Sequence, residues 1–288
     1  MRRQDSFRKK ASLVFALLCL ALLWAWFPRP AFAGQPVDCS LAKGSQISLE
    51  ASKRCILWNV VQSCLEPSSS SYCSACQRPL VGAPCAVGDE CLRTDVWNQD
   101  EDFVAFKDHF RTCGCAKGFV HGLVIPRHPC TGVEDKRTMS DPHLVGAWAF
   151  AWKTAAEKIK NQDEILLVAN PFSLRSQDQL HIHIVRPGTG IRQKLLSLMT
   201  GAAGARELAP NVRAVAARIR DVNQVWSEAR KAATIGGFIE YGIAVIGDGK
   251  EYLVIAVDAS RKGDMSPERA LASYECPEKR PINQEPRK

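Results

Sequence analysis

The sequence is short of the features that mark several broad classes of protein. Beyond residue 33 its 288 residues hold no long basic run, so the formal charge of +8 does not describe a polyanion-binding stripe, and nucleic acid is not an expected partner. Most of the surplus sits at the start. Arg2, Arg3, Arg8, Lys9, Lys10 and Arg29 against Asp5 leave +5 on residues 1–33, and the remaining 255 residues carry only +3. Hydrophobic content of 46% and charged content of 24% are ordinary, which excludes a disordered, collagen-like or polytopic membrane chain. No sequence period marks a repeat, although the second half reads as a degenerate copy of the first. Histidine is scarce, with six in the chain: His109, His121, His128, His143, His181 and His183.

The N-terminus is more telling. A charged stretch, MRRQDSFRKK, precedes the apolar run Ala11–Phe27, and Ala31-Phe32-Ala33 offers small residues for cleavage before Gly34. The 17-residue run is long for a signal peptide and just reaches the ~17–25 residues that span a bilayer. Both outcomes stay open. Residues 1–33 are a cleaved signal peptide or a single anchor, and in either case residues 2–10 stay inside. The expected location is the cell inner membrane, single-pass with the catalytic domain in the periplasm, or the periplasm itself after cleavage at Ala33.

That compartment is oxidising, which bears on the twelve cysteines. Cys19 lies in the apolar run, and ten of the other eleven precede residue 131. Cys73-x-x-Cys76 followed by Cys113-x-Cys115 is a weak zinc signature, so disulfides are favoured. Residues 34–100 form a Cys-rich N-terminal region. Within it the spacing of Cys55, Trp58, Val61 and Cys64 predicts a short helix over 51–64.

Residues 101–200 carry the core pattern. Strands are expected at 103–108, 118–126, 165–170 and 180–185, with a helix from Asp141-Pro142 to about Lys160 whose apolar stripe is Leu144, Trp148, Trp152 and Ala155. Strand, strand, helix, strand, strand is an α+β arrangement with an antiparallel sheet. The composition predicts a helix over 190–200 and, in residues 201–276, a second over 206–232 interrupted near Pro210. A hairpin follows through Gly247-Asp-Gly-Lys250, and a last short helix starts at Ser266-Pro267-Glu268. Residues 277–288 read as a flexible tail.

Chemistry concentrates in Gln179-Leu-His181-Ile-His183-Ile-Val185. On a strand, Gln179, His181 and His183 share one face while Leu180, Ile182 and Ile184 point into the core. Imidazoles side by side on a rigid strand suit work at a phosphate: one attacks phosphorus, and its neighbours hold the tautomer and donate to oxygens. Zinc is a further reading of His-x-His, but no third ligand is fixed by spacing.

These residues carry a resemblance. Phe106-Lys-Asp108 with His121-Gly-Leu-Val-Ile-Pro126-Arg-His128 resembles the first half of the histidine-triad fold, and Asn170, Gln177 and His181-Ile-His183 resemble its second. With Leu57-Trp58, Cys64, the run 175–184 and Tyr241-Gly-Ile-Ala-Val, residues 50–276 resemble the bacterial CDP-diacylglycerol pyrophosphatase family. The resemblance implies a histidine-triad-like sheet with packed helices and hydrolysis of CDP-diacylglycerol to CMP and phosphatidate at the inner membrane. It implies a histidine nucleophile and no cofactor or metal. Gln179 stands where the triad has its first histidine, so the nucleophile is His181; a second frame, starting from Asn170, puts it at His183 with Val185 as the lost third. The first frame is favoured because Gln179 can still hydrogen-bond. The catalytic set is then His181, His183 and Gln179. The expected substrate contacts are Asp108 to ribose hydroxyls, His121 in the nucleotide pocket, Asn170 and Gln177 to phosphate oxygens, and Arg175 opposite pyrophosphate charge, with Arg186 flanking. Two rival readings remain: an exported, disulfide-rich nucleotide-binding protein without catalysis, and a hydrolase of soluble nucleotides.

Overall fold

A computed structural model describes residues 39, 54–64, 96–108, 119–200, 204–261 and 263–273, all within the compact unit Pro36–Lys288. The apolar run 11–27, most of the Cys-rich region, Cys113, Cys115, Cys276 and the tail lie outside the described residues. Among the described residues no helix is long and apolar enough to cross a membrane.

Among the described residues nine strands form one antiparallel sheet: β1 (Val96–Gln99), β2 (Phe103–Lys107), β3 (Gly122–Pro126), β4 (Leu166–Ala169), β5 (Ile182–Val185), β6 (Arg206–Ala209), β7 (Val212–Ile219), β8 (Tyr241–Asp248) and β9 (Glu251–Asp258). The strand order is β1-β2-β3-β5-β4-β8-β9-β7-β6. Because β4 pairs with β8, the sheet runs unbroken across residue 200. The α-helices of the described residues are α1 (Ile56–Cys64), α2 (Pro142–Val145), α3 (Ala147–Lys158), α4 (Ile191–Ser197), α5 (Val225–Gly236) and α6 (Pro267–Leu271).

The alternation of strand side chains divides this sheet into two different faces. One face packs Val124, Leu167, Ile182, Ile184, Ile243 and Val245 against α3 and α5, through Trp148, Trp152 and Trp226. The expected stripe Leu144, Trp148, Trp152, Ala155 is buried in that layer. The opposite face carries α1 over Val104, Phe106, Leu123 and Ile125 at one end. At the other end Leu195 of α4 and Leu271 of α6 cover Leu166, Val168, Ala244 and Ile246.

Four elements differ from expectation. The helix after Asp141 is split by Gly146 into α2 and α3. The edge strand β1 was not expected, and it pairs with β2 across an Asp100 turn whose carboxylate accepts from the N–H groups of Asp102 and Phe103. Residues 206–219 are a hairpin, not a helix. Their Ala, Arg, Glu and Leu favour helix locally, but Asn211 takes the left-handed φ of +62° and turns the chain, and six residues of β7 pair with β9. Tertiary pairing overrides propensity here. The last helix ends at Leu271, short of Cys276.

Candidate active site

Between α1 and α6, on the second face, lies a cleft of about 1080 Å³. Its polar side includes Asp108, Asn170, His181, His183, Glu268 and Arg269, and its apolar side Ile56, Leu57, Leu123, Leu174 and Met265. Strand alternation places the histidines there. Leu180, Ile182 and Ile184 are buried in the α3 layer, so His181 and His183 face the cleft.

The two histidines are held differently. His181 Nδ1 lies 2.8 Å from the backbone carbonyl of Gln179. A carbonyl only accepts, so Nδ1 carries the proton and Nε2 keeps the basic lone pair. Burial pushes the His181 imidazole below its ordinary pKa, against the opposing hydrogen bond to the Gln179 carbonyl. His181 is therefore neutral at pH 7, with Nε2 as its unprotonated nitrogen.

His183 uses both ring nitrogens. Nδ1 lies 3.2 Å from His121 Nε2, and Nε2 lies 3.3 Å from Glu268 Oε2 and 3.4 Å from Asn170 Nδ2. Asn170 Nδ2 donates to Glu268 Oε2 at 2.9 Å, and its carbonyl accepts from the Glu268 N–H at 3.2 Å. Glu268 Oε1 lies 3.5 Å from His121 Nε2, and Asp108 lies 3.8 Å from the same nitrogen. All of these side chains are buried. A buried carboxylate is costly unless paired and hydrogen-bonded; Glu268 Oε2 accepts from Asn170, while the buried Oε1 lies near His121 without a hydrogen bond.

Two local features bring Glu268 in. Ser266 caps α6 by accepting from the Arg269 N–H, with Pro267 in the first turn. Gly242 of β8 lets α6 approach. A Cβ there would meet Pro267 Cγ at 2.5 Å and the Ala169 carbonyl at 2.8 Å.

The wall opposite is built by residues 175–179 docking on α1. Gln177 Oε1 accepts from the Leu57 N–H, one of the helix-start donors that lack a partner inside a helix. Arg54 forks onto Asp178, and the Asp178 N–H donates to the Arg54 carbonyl. The Cys39–Cys55 disulfide fixes the chain entering α1. Arg175 is buried, and its guanidinium donates to both Glu134 oxygens and to Asp178.

The structure thus gathers His121, Asp108, Asn170, His181 and His183 around one cluster. Arg175 and Gln177 line the same cleft, but their polar groups anchor the wall, a role the sequence did not indicate. Gln179 lies elsewhere. Its carboxamide donates to the carbonyls of Pro126 and His128 and accepts from the Cys130 N–H, so its side chain secures the segment after β3 while its backbone carbonyl serves His181. Arg186 pairs with Glu164. Cys130 is buried, and burial pushes its thiol well above the ordinary value, which makes it unreactive. Glu268 is the residue sequence reasoning missed. An acid after Ser-Pro reads as a helix start, and only its burial beside two histidines marks it.

Two groups of described residues have the ligand atoms for a cation, His121–His183–Glu268 in the buried network beside the cleft and Asp102–His128–His143 away from it, each within 4.8 Å.

Known proteins share parts of this chain. The family model for CDP-diacylglycerol pyrophosphatase matches residues 52–204. Proteins named CDP-diacylglycerol pyrophosphatase from Mycobacterium tuberculosis and Mycobacterium bovis are each 32% identical over 108 residues, covering 35% of this chain and 35% of the relative. The chain therefore spans about a third of the length of the curated relatives it matches. Among solved structures, a HIT family hydrolase from Clostridium thermocellum has TM-score 0.28 and 22% identity over 34% of this chain and 83% of that one. A DUF4931 family protein from Bacillus cereus has TM-score 0.40 and 13% identity over 61% and 89%.

Proposed function

The chain belongs to the CDP-diacylglycerol pyrophosphatase family, and on that premise we propose that it hydrolyses CDP-diacylglycerol to CMP and phosphatidate with His181 as nucleophile, on a histidine-triad-like sheet. The observation that carries this reading is the fixed tautomer of His181, whose hydrogen bond from Nδ1 to the Gln179 carbonyl leaves Nε2 as the basic atom in the cleft.

Nε2 attacks the cytidylyl phosphorus, and the phosphorus–oxygen bond to phosphatidate breaks with its electron pair on the leaving phosphate oxygen. The positive charge on the substituted imidazole is shared through Nδ1–H with the Gln179 carbonyl. Water then attacks phosphorus, the nitrogen–phosphorus bond breaks, the Nε2 lone pair is restored, and CMP leaves with the proton passing to solvent. His183 is less suited to attack because both its nitrogens are engaged. Held by Glu268, Asn170 and His121, it presents an ordered polar face to the phosphate oxygens. Arg269 at the rim offsets pyrophosphate charge, and Asp108 accepts from ribose hydroxyls. Leu57, Leu123, Leu174 and Met265 give the acyl-bearing half an apolar side to lie on.

In this reading the catalytic unit faces the periplasm, with Ala11–Phe27 as its inner-membrane anchor or cleaved leader. A tether would raise the local concentration of a bilayer substrate without adding any contact. The test is CMP release by purified protein from detergent-dispersed CDP-diacylglycerol. Turnover is expected there, together with slower turnover on intact vesicles by a chain starting at Gly34 than by the full chain. Hydrolysis confined to soluble dinucleotides would contradict the lipid substrate. Equal rates on vesicles would remove the tether.

A further inference from the structure

The residues Asp102, His128 and His143 have no part in the cleft, yet they come together from three separate segments. Asp102 ends the Asp100 turn before β2, His128 follows the last residues of β3, and His143 lies in the first turn of α2. His143 Nδ1 is 2.6 Å from Asp102 Oδ1, and His128 Nε2 is 3.6 Å from the same oxygen. The two rings stack with centroids 4.2 Å apart and planes 24° apart. Two imidazoles beside one carboxylate place two nitrogens and one oxygen within 4.8 Å of one another. We propose that Asp102, His128 and His143 form a second site, which binds a divalent first-row transition cation of the zinc class, with water completing its coordination.

The ligand chemistry selects that class. Zinc is bound by imidazole nitrogen and carboxylate oxygen at about 2.0–2.2 Å, and four-coordinate geometry at those lengths puts ligand atoms roughly 3.3–3.5 Å apart. The two distances to Asp102 Oδ1, 2.6 and 3.6 Å, bracket that spacing, and all three ligand atoms lie within 4.8 Å of one another. Two imidazoles disfavour calcium and magnesium, which take oxygen ligands.

The backbone under each ligand is already fixed. The Asp102 N–H donates to Asp100 Oδ1, and its carbonyl accepts from the Arg127 N–H at 2.7 Å. The buried Arg127 guanidinium donates to the Asp100 carbonyl and to Gln99 Oε1. Asp141 caps α2 by accepting from the His143 N–H. The His128 carbonyl accepts from the Gln179 carboxamide. A cation here therefore staples β2, β3 and α2 together. Through Gln179, whose carbonyl holds His181, it also steadies the segment that orients the nucleophile.

The test uses the full chain stripped with a chelator and titrated with Zn²⁺, with bound metal measured after gel filtration and Co²⁺ as the spectroscopic probe. Cysteines elsewhere and the His121–His183–Glu268 cluster can also take metal, so the readout is a difference between variants. His143→Gln and Asp102→Asn each should lose one bound Zn²⁺ per chain, or weaken that one by at least about tenfold. They should also lose the zinc-dependent rise in Tm that accompanies that ion, and adding His143→Gln to His183→Ala should still remove one Zn²⁺ per chain. His143 is about half exposed, so its replacement is compatible with folding, which a melt without metal verifies. Equal zinc content and equal Co²⁺ spectra in wild type, His143→Gln and Asp102→Asn would overturn the proposal. So would loss of the bound ion in His183→Ala alone.

Discussion

The same strands make two faces that both pack apolar side chains but differ sharply where the histidines lie. Under α3 and α5 the sheet offers Ile182, Ile184, Leu167 and Val245 to three tryptophans, and the layer is apolar. On the other face, His183 joins Asn170, His121 and Glu268 in a buried polar network, with the His181 ring packed edge-on beside His183. The comparison shows how a small sheet houses chemistry. The apolar face supplies the burial that holds the strands, and the other face can then carry hydrogen-bonded polar groups at fixed spacing. The two faces should therefore fail in different ways when mutated.

The largest expected effect is on the polar face. His181→Ala should lower the rate of CMP release by about 10³-fold or more with the melting temperature little changed, since the nucleophile is lost and no core atom is. The pH dependence sharpens this. Burial holds His181 below the ordinary imidazole value of 6.5, so the neutral form persists as pH falls through 6.5 and the acid limb of kcat/KM lies below it. The unfolded chain takes up that proton first. The stability due to this group is thus whole above pH 6.5 and is lost as pH falls through the folded-state value. An acid limb above 6.5 in the wild-type profile would contradict the assignment.

Ile184→Ala tests the apolar face. It should cost about 2–5 kcal/mol in chemical denaturation, with kcat near wild type in the protein that remains folded. A large loss of kcat with stability intact would mean that the two faces are not separable. Glu268→Gln should lower kcat by about 10–100-fold and alter the pH profile, because the variant keeps the shape but not the charge beside His183 and His121. An unchanged profile in steady-state kinetics would reduce Glu268 to packing. Arg269→Ala, at the exposed rim, should raise KM a few-fold without changing kcat.

The sequence makes the faces legible around β5 because alternation over 179–185 is strict, with His183 on the strand and His181 just before it. It also places Asn170 and Asp108 at strand ends, where the cleft collects them. What it cannot show is contact between distant segments. Glu268 lies 98 positions from Asn170 and enters only because Gly242 lets α6 dock. Arg175, Gln177 and Gln179 read equally well as ligand contacts or as braces, and the choice depends on Glu134, Asp178, Leu57 and the carbonyls after β3 being beside them. The hairpin 206–219 was illegible for the opposite reason: its local signal is strong and points to a helix, while its pairing partner β9 is more than thirty residues further on.

The most direct test is to identify the covalent intermediate. Substrate mixed with the slowed Glu268→Gln variant, quenched under conditions that preserve nitrogen–phosphorus bonds and digested for mass spectrometry, should give a cytidylyl group on the peptide containing residues 179–185. Fragmentation should place it on His181, and it should be absent from His181→Ala. An adduct on His183, or full turnover by His181→Ala, would contradict the assignment of the nucleophile.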